Sequence, residues 1–181
     1  MNSRHKPNLL SLLTALFVAH PAYAAGPRTH TSESFQFTVA APMSVAFPLF
    51  GADRERVWAP DWAPYFIWPD RPDDREGMVF TIAQGERQAI WVNTELDPII
   101  GRIQYVYVLP EVMTTVITLK LLEQGSTTIV HVRYDRTALS ASADEHVREL
   151  ARHDASAGPE WAGQIAAFLA HRGVSTSARS P

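Results

Sequence analysis

The sequence predicts an α+β fold, an antiparallel curved sheet wrapped on a C-terminal helix. Three observations lead there. Five strand-like runs lie between residues 78 and 139, separated by breaks of a few residues, and short connections imply antiparallel neighbours because parallel ones need long crossovers. One amphipathic helix follows them, with Trp161, Ile165, Phe168 and Leu169 on a single face. A curved sheet must bury one face, and that helix is the only large element available to cover it.

In chain order, residues 1–24 carry the marks of a cleavable secretory signal. Arg4 and Lys6 are basic, Leu9 to Ala19 is apolar, and Ala22-Tyr23-Ala24 is a small-x-small cleavage site. The apolar run is shorter than the roughly 20 residues a spanning helix needs, and no later stretch is apolar enough to span. The protein is therefore expected to be periplasmic or secreted, with no membrane span in the mature chain. Residues 25–34 read as a linker, 35–172 as the domain, and 173–181 as a small, polar, disordered tail.

Phe35 to Ala41 alternates apolar and polar residues, which predicts a half-buried strand ended by Pro42. Met43 to Phe50 predicts a short helix with Gly51 behind it, and Asp53 to Val57 a further turn. Residues 57–69 hold three of the five tryptophans, with Tyr65 and Phe66 between them. Pro60, Pro64 and Pro69 remove backbone donors there, so the segment reads as a loop, either folded as an aromatic lid over an apolar cavity or plugging the core from one side. Asp70 to Gly77 is charged and reads as an exposed loop. The strand candidates are Met78–Ala83, Gln88–Leu96, Gly101–Leu109, Val112–Glu123 and Thr127–Leu139. Ser140 or Ser142 can cap a helix with Glu145 in its first turn. Gly158-Pro159 then either kinks one long helix or starts a second.

Composition narrows the function. The chain has 16 Lys and Arg against 19 Asp and Glu, net −3; losing Arg4 and Lys6 takes the mature form to −5. Lys120 is then the only lysine. Without a basic run there is no electrostatic footprint for nucleic acid. Cysteine is absent, which excludes disulfides, thiolate chemistry and Cys-ligated metal. No glycine-rich phosphate loop or Gly-x-Ser-x-Gly elbow occurs.

Four stretches, in order, carry a resemblance. They are Ala41-Pro42-Met43-Ser44-Val45-Ala46-Phe47-Pro48-Leu49-Phe50, Trp58-Ala59-Pro60-Asp61-Trp62, Trp91-Val92-Asn93-Thr94-Glu95-Leu96-Asp97-Pro98, and Thr127-Thr128 with Thr137-Ala138-Leu139-Ser140. Over residues 35–169 the chain resembles the SRPBCC, or START-like, superfamily, in its bacterial polyketide cyclase-like branch. The resemblance implies a helix-grip fold with a hydrophobic-ligand cavity between sheet and helix. It does not imply one reaction. Members bind lipids, sterols, plant hormones or polyketides, and some are cyclases or dehydratases. The secretory signal departs from their mostly cytoplasmic pattern.

The candidate ligand-binding residues are Trp58, Trp62, Phe66, Trp68, Trp91, Tyr105, Tyr107, Met113, Trp161 and Phe168; no catalytic, cofactor or metal residues are assigned. His131, Arg133 and Asp135 alternate with Val130, Val132 and Tyr134, which places the charged set towards solvent. Glu95 shares a strand face with Trp91 and Asn93. If Trp91 points inward, period-2 alternation brings Glu95 into the cavity; the competing reading pairs it across strands with Arg102. His146, Glu149 and His153 share a helix face but lack the spacing of a helical zinc motif. Asp70, Asp73, Asp74 and Glu76 lack calcium-loop spacing. The favoured function is non-enzymatic binding of a small hydrophobic, lipid-like or aromatic ligand. The alternatives are a cyclase- or dehydratase-type enzyme and a protein-interaction module. An enclosed cavity lined by Trp and Tyr marks the first, a buried carboxylate or histidine near a tyrosine the second, and a filled core with exposed Trp58 and Trp62 the third.

Overall fold

The computed structural model describes residues 26–177; the expected signal segment, residues 1–24, lies outside them. Seven strands form one antiparallel sheet. They are β1 (His30–Val39), β2 (Tyr65–Trp68), β3 (Val79–Gln84), β4 (Arg87–Asp97), β5 (Arg102–Leu109), β6 (Met113–Gln124) and β7 (Thr127–Ala138). Their order across the sheet is β1-β7-β6-β5-β4-β3-β2. The run β3 to β7 is thus a continuous meander, and the first strand closes it by pairing with the last, from His30↔Thr137 to Val39↔Thr128.

The strands alternate as period 2 requires. Ile103, Tyr105, Tyr107 and Leu109 of β5 are buried, and so are Val130, Val132, Tyr134, Arg136 and Ala138 of β7. His131 and Asp135 are half-buried and Arg133 is exposed on the opposite, convex face, where Arg133 pairs with Asp135 at 2.8 Å. Gly101 starts the return into β5 at φ +68, and a side chain there would run into the Leu121 carbonyl. A left-handed turn and a close backbone approach both call for glycine.

The proline-rich aromatic segment is not wholly loop. Tyr65–Trp68 forms β2, a four-residue strand paired only with β3. Pro64 and Pro69 flank it, and an edge strand tolerates that because its outer side needs no donors. Between β1 and β2 lie α1 (Met43–Ala46), a 3-10 turn at Phe47–Phe50 and a second one at Arg54–Val57.

Two helices follow β7: α2 (Asp144–Asp154) and α3 (Gly158–Ser177). Pro159 starts the second rather than kinking a single helix, as its missing N–H allows in a first turn. The helix α3 continues past Gly173 to Ser177, into the segment read as a disordered tail. It packs along β1 and grips the concave face. Ile165 is buried, whereas Phe168 is only partly so. Trp161 sits among Phe35, Phe37, Phe50 and Trp58, at ring-centroid distances of 5.4, 6.2, 6.5 and 5.4 Å.

Candidate functional site

The concave face carries a polar-tipped aromatic cluster facing the 3-10 corner. The end of a short helical turn leaves carbonyls without intrahelical partners. Aromatic side chains satisfy two of them, Leu49 and Phe50, and a third carbonyl just beyond the turn, Ala52. Trp58 Nε1 donates to the Leu49 carbonyl at 2.6 Å, Tyr105 Oη to Phe50 at 3.0 Å, and Trp62 Nε1 to Ala52 at 2.6 Å. The aromatic stretch therefore both plugs the core and anchors the corner. Asp74, from the charged loop, reaches inward to the same corner. Its carboxylate lies against Gly51, where a Cβ would collide with it, and accepts from the Asp53 N–H at 3.4 Å. Burial raises its pKa, and the backbone N–H groups of Asp53 and Ala52 oppose the shift.

Beneath the corner lies an interior cavity of about 40 Å³, bounded by Glu55, Trp62, Trp91, Tyr105 and Trp161, with Ile117, Leu119 and Tyr134 at its floor. Beside it, open to solvent, is a groove of about 310 Å³ walled by Trp58, Trp62, Trp161 and Glu55. Glu55, Trp62 and Trp161 belong to both and form the partition between them.

Glu55 is the residue that sequence reading missed. It sits on the 3-10 turn Arg54–Val57 and is only 7 % exposed. Its neighbours Arg54 and Arg56 point to solvent, and Arg56 donates to the Pro64 carbonyl and lies over the Phe66 ring at 5.5 Å. No hydrogen bond or ion pair engages the Glu55 carboxyl among the described residues. Burial, reinforced by the nearby Asp74 charge, pushes its pKa well above the usual carboxylate range. Burial and the Glu55 charge likewise raise Tyr105, which stays protonated on the Phe50 carbonyl. The Trp91 indole N–H is buried without a partner, and the buried Asn93 side chain lies beside the Tyr105 hydroxyl, where it opposes the upward shift of that group.

Glu95 does not enter the cavity, although Trp91 and Asn93 do face inward. The reason is a bulge at Thr94. Asn93 pairs with the inward Tyr105, but Glu95 pairs with the outward Gln104 and Leu96 with the inward Ile103. The extra residue reverses the alternation, and Glu95 meets Arg102 at 3.1 Å on the other face.

The remaining expected residues are distributed as follows. Trp58, Trp62, Trp91, Tyr105 and Trp161 come together at the cavity or the groove. Phe66 packs on Phe80 at 6.0 Å, and Tyr107 stacks on Trp91 at 4.3 Å, behind the cavity wall. Met113 is buried in the core at the start of β6, and Phe168 lies halfway along α3 beside Arg172. Trp68 is 53 % exposed on the edge strand, where Arg75 covers it, because an irregularity between Phe66 and Trp68 breaks the alternation that would have put both on one face: Phe66 pairs with the buried Phe80, Trp68 with Val79. Behind Tyr107, Arg136 makes a two-pronged pair with Asp154 at 2.6 and 2.9 Å and donates to Tyr107 Oη at 2.6 Å and Thr115 Oγ1 at 3.1 Å. Arg136 is a charged member of an inward face, and this clasp ties β7 to the end of α2. Burial alone would lower its pKa, but the Asp154 carboxylate outweighs it and the net shift is upward. His146, Glu149 and His153 are exposed on α2. Among the described residues no group of three or more His, Asp or Glu is placed to hold a metal, and no helix is long and apolar enough to cross a membrane.

Compared by sequence, the chain matches no family model and no curated protein. Compared by structure, it is similar to norcoclaurine synthase from Thalictrum flavum, with a TM-score of 0.58 at 10 % identity over 93 % of this chain and 95 % of that one. It is also similar to the Mll3558 protein from Rhizobium loti, with a TM-score of 0.54 at 17 % identity over 79 % and 99 % of the two chains. Ara h 8.0201 gives a TM-score of 0.54 at 10 % identity over 77 % and 99 %. Strand order, the gripped C-terminal helix and these likenesses agree, and the fold is a helix-grip fold, a curved antiparallel sheet wrapped on its C-terminal helix.

Proposed function

We propose that this is an exported protein that binds a small hydrophobic ligand between the sheet and α3, with the ligand's polar end at Glu55. The shared partition is the observation that carries the reading. Small-molecule sites usually occupy about 300–1,000 Å³, and the interior cavity alone is far smaller, at about 40 Å³. The groove of about 310 Å³ adjoins it, and Glu55, Trp62 and Trp161 line both spaces. Rotation of those rings joins the two spaces. Trp58 is buried and Trp62 half-buried, which counts against their use as an exposed protein-docking surface.

The neutral fluorophore N-phenyl-1-naphthylamine tests the reading. It should bind, gain emission and quench tryptophan fluorescence. Trp62→Ala should weaken binding about tenfold or more while the protein still folds, since a lid belongs to the less stable part of a fold. Collapse of that variant, together with no binding by the wild type, would make the rings core plugs only. Export is tested separately. Intact mass of periplasmic protein should show loss of residues 1–24 to within a residue or two, and an exclusively cytoplasmic location would remove the export half of the proposal.

One observation favours a second reading, an acid–base enzyme of cyclase or dehydratase type. A lone buried carboxyl with a raised pKa beside a cavity is a candidate proton-transfer group. Glu55 takes the part that alternation had given to Glu95. Norcoclaurine synthase, which shares the fold, has been solved in complex with dopamine and hydroxybenzaldehyde, an example of an enzyme on this scaffold. An enzyme would lose turnover in Glu55→Gln while keeping ligand affinity; a binding protein would show no turnover to lose.

A further inference from the structure

The groove beside the cavity has a one-sided chemistry. Three indoles, Trp58, Trp62 and Trp161, share its wall with three carboxyls, Glu55, Asp61 and Glu160, and among the described residues no lysine, arginine or histidine lines it. The indole N–H groups of Trp58 and Trp62 are already used on backbone carbonyls. What these two rings can still offer a ligand is π surface, whose negative face attracts cations. Asp61 and Glu160 are exposed at the rim. Asp61 is held there by a left-handed backbone at φ 60, and Glu160 by Gln164, whose amide donates to it at 3.1 Å. Glu55 is different in kind: it is 7 % exposed, it lines both the groove and the cavity, and among the described residues no hydrogen bond or ion pair engages its carboxyl. A buried carboxyl normally has such a partner. An anion is repelled by this wall, and a neutral hydrocarbon leaves Glu55 unsatisfied. An organic cation answers both the rings and the carboxyl.

We propose that the ligand accepted by this groove is an organic ammonium, its cationic head held among Trp58, Trp62 and Trp161 against the Glu55 carboxylate. The proposal rests on the ligand-binding reading above and names the class of ligand. It has a linked consequence. The groups whose charge Glu55 feels, Asp74, Tyr105 and Tyr134, offer it no cation, so burial holds its proton in place. A positive charge arriving beside it favours the ionised form, and the proton leaves as the cation binds.

The test uses choline and 3,3-dimethylbutan-1-ol, which share a shape and differ in charge, and benzyltrimethylammonium as a larger permanent cation. Calorimetry on the mature chain in two buffers of different ionisation enthalpy reads affinity and proton release together. Wild type should bind at least one quaternary cation about tenfold or more tightly than the uncharged alcohol and release a proton on binding. Glu55→Gln should lose both the preference and the proton. Should that variant misfold, the rim pair Asp61→Asn with Glu160→Gln should still lower cation affinity severalfold and steepen no unfolding transition. Equal affinity for charged and uncharged probes, or no quaternary cation bound at all, overturns the proposal. N-phenyl-1-naphthylamine binding in the same preparation separates the two failures: a dye that binds where cations do not leaves the hydrophobic-ligand reading standing, and loss of both removes it too.

Discussion

At the scale of single residues, two buried charges behave oppositely. Glu55 is unpaired, and its folded pKa lies well above the ordinary 4.5. The folded state therefore holds a proton that the unfolded state has already released. Stability is fully present below about pH 4.5 and is lost as pH rises through the raised folded pKa. Glu55→Gln cannot ionise, so urea unfolding should show it more stable than wild type at about pH 8 and level with it near pH 4. No such difference at pH 8 would mean that the carboxyl is solvated. Arg136 and Asp154 are paired, with side chains 6 % and 5 % exposed. Removing one partner leaves the other charge buried, so Asp154→Ala should cost about 3–5 kcal/mol by denaturant titration. A loss under about 1 kcal/mol would assign the pair to the class of surface ion pairs.

At the scale of elements, the grip of α3 depends on one residue above others. Ile165 is 1 % exposed, and Ile165→Ala should cost about 2–5 kcal/mol. Phe168 is only partly buried, so Phe168→Ala should cost clearly less, though phenylalanine is the larger side chain. Equal losses would mean that the helix sits rotated from the position described. The strands and this helix were legible from the sequence because alternation and the 3.6-residue period are local signals that burial reinforces. Three features were not. The strand β2 is hidden because a four-residue edge flanked by prolines has no periodicity to read. The bulge at Thr94 leaves no compositional mark, yet it reverses which residues of β4 face inward and so exchanges Glu95 for Leu96. Glu55 lies between two arginines in a charged turn, and only the tertiary position of that turn, tucked under Trp58 and Trp62, buries it. Five of the ten aromatic and apolar candidates lie around the cavity or groove, and two of them, Trp58 and Trp62, stay there because their indole N–H groups tie them to a corner of the fold. Trp68 fails that criterion, standing on the edge strand instead.

At the scale of the whole molecule, the sheet is an open band whose first strand meets only its last. The pairing runs from His30↔Thr137 to Val39↔Thr128, a separation of some hundred residues, while the neighbours from β3 to β7 are joined by short turns. Contacts of that span are slow to form because loop closure precedes any gain from them. During synthesis at about 5–20 residues per second, β1 waits about 5–20 s for a partner. For that interval Phe35, Phe37 and Val39 have no sheet to enter, and Trp161, which Phe35 and Phe37 will meet, does not yet exist. Pulsed hydrogen exchange during refolding should accordingly find amides of β1 protected together with those of β7 and after the β4–β5 hairpin; protection of β1 ahead of that hairpin would contradict the scheme. A nascent chain cannot complete its sheet until β7 arrives, and the β1–β7 seam thus acts as a timer: the architecture that carries the aromatic site also postpones its own completion until most of the chain has been made.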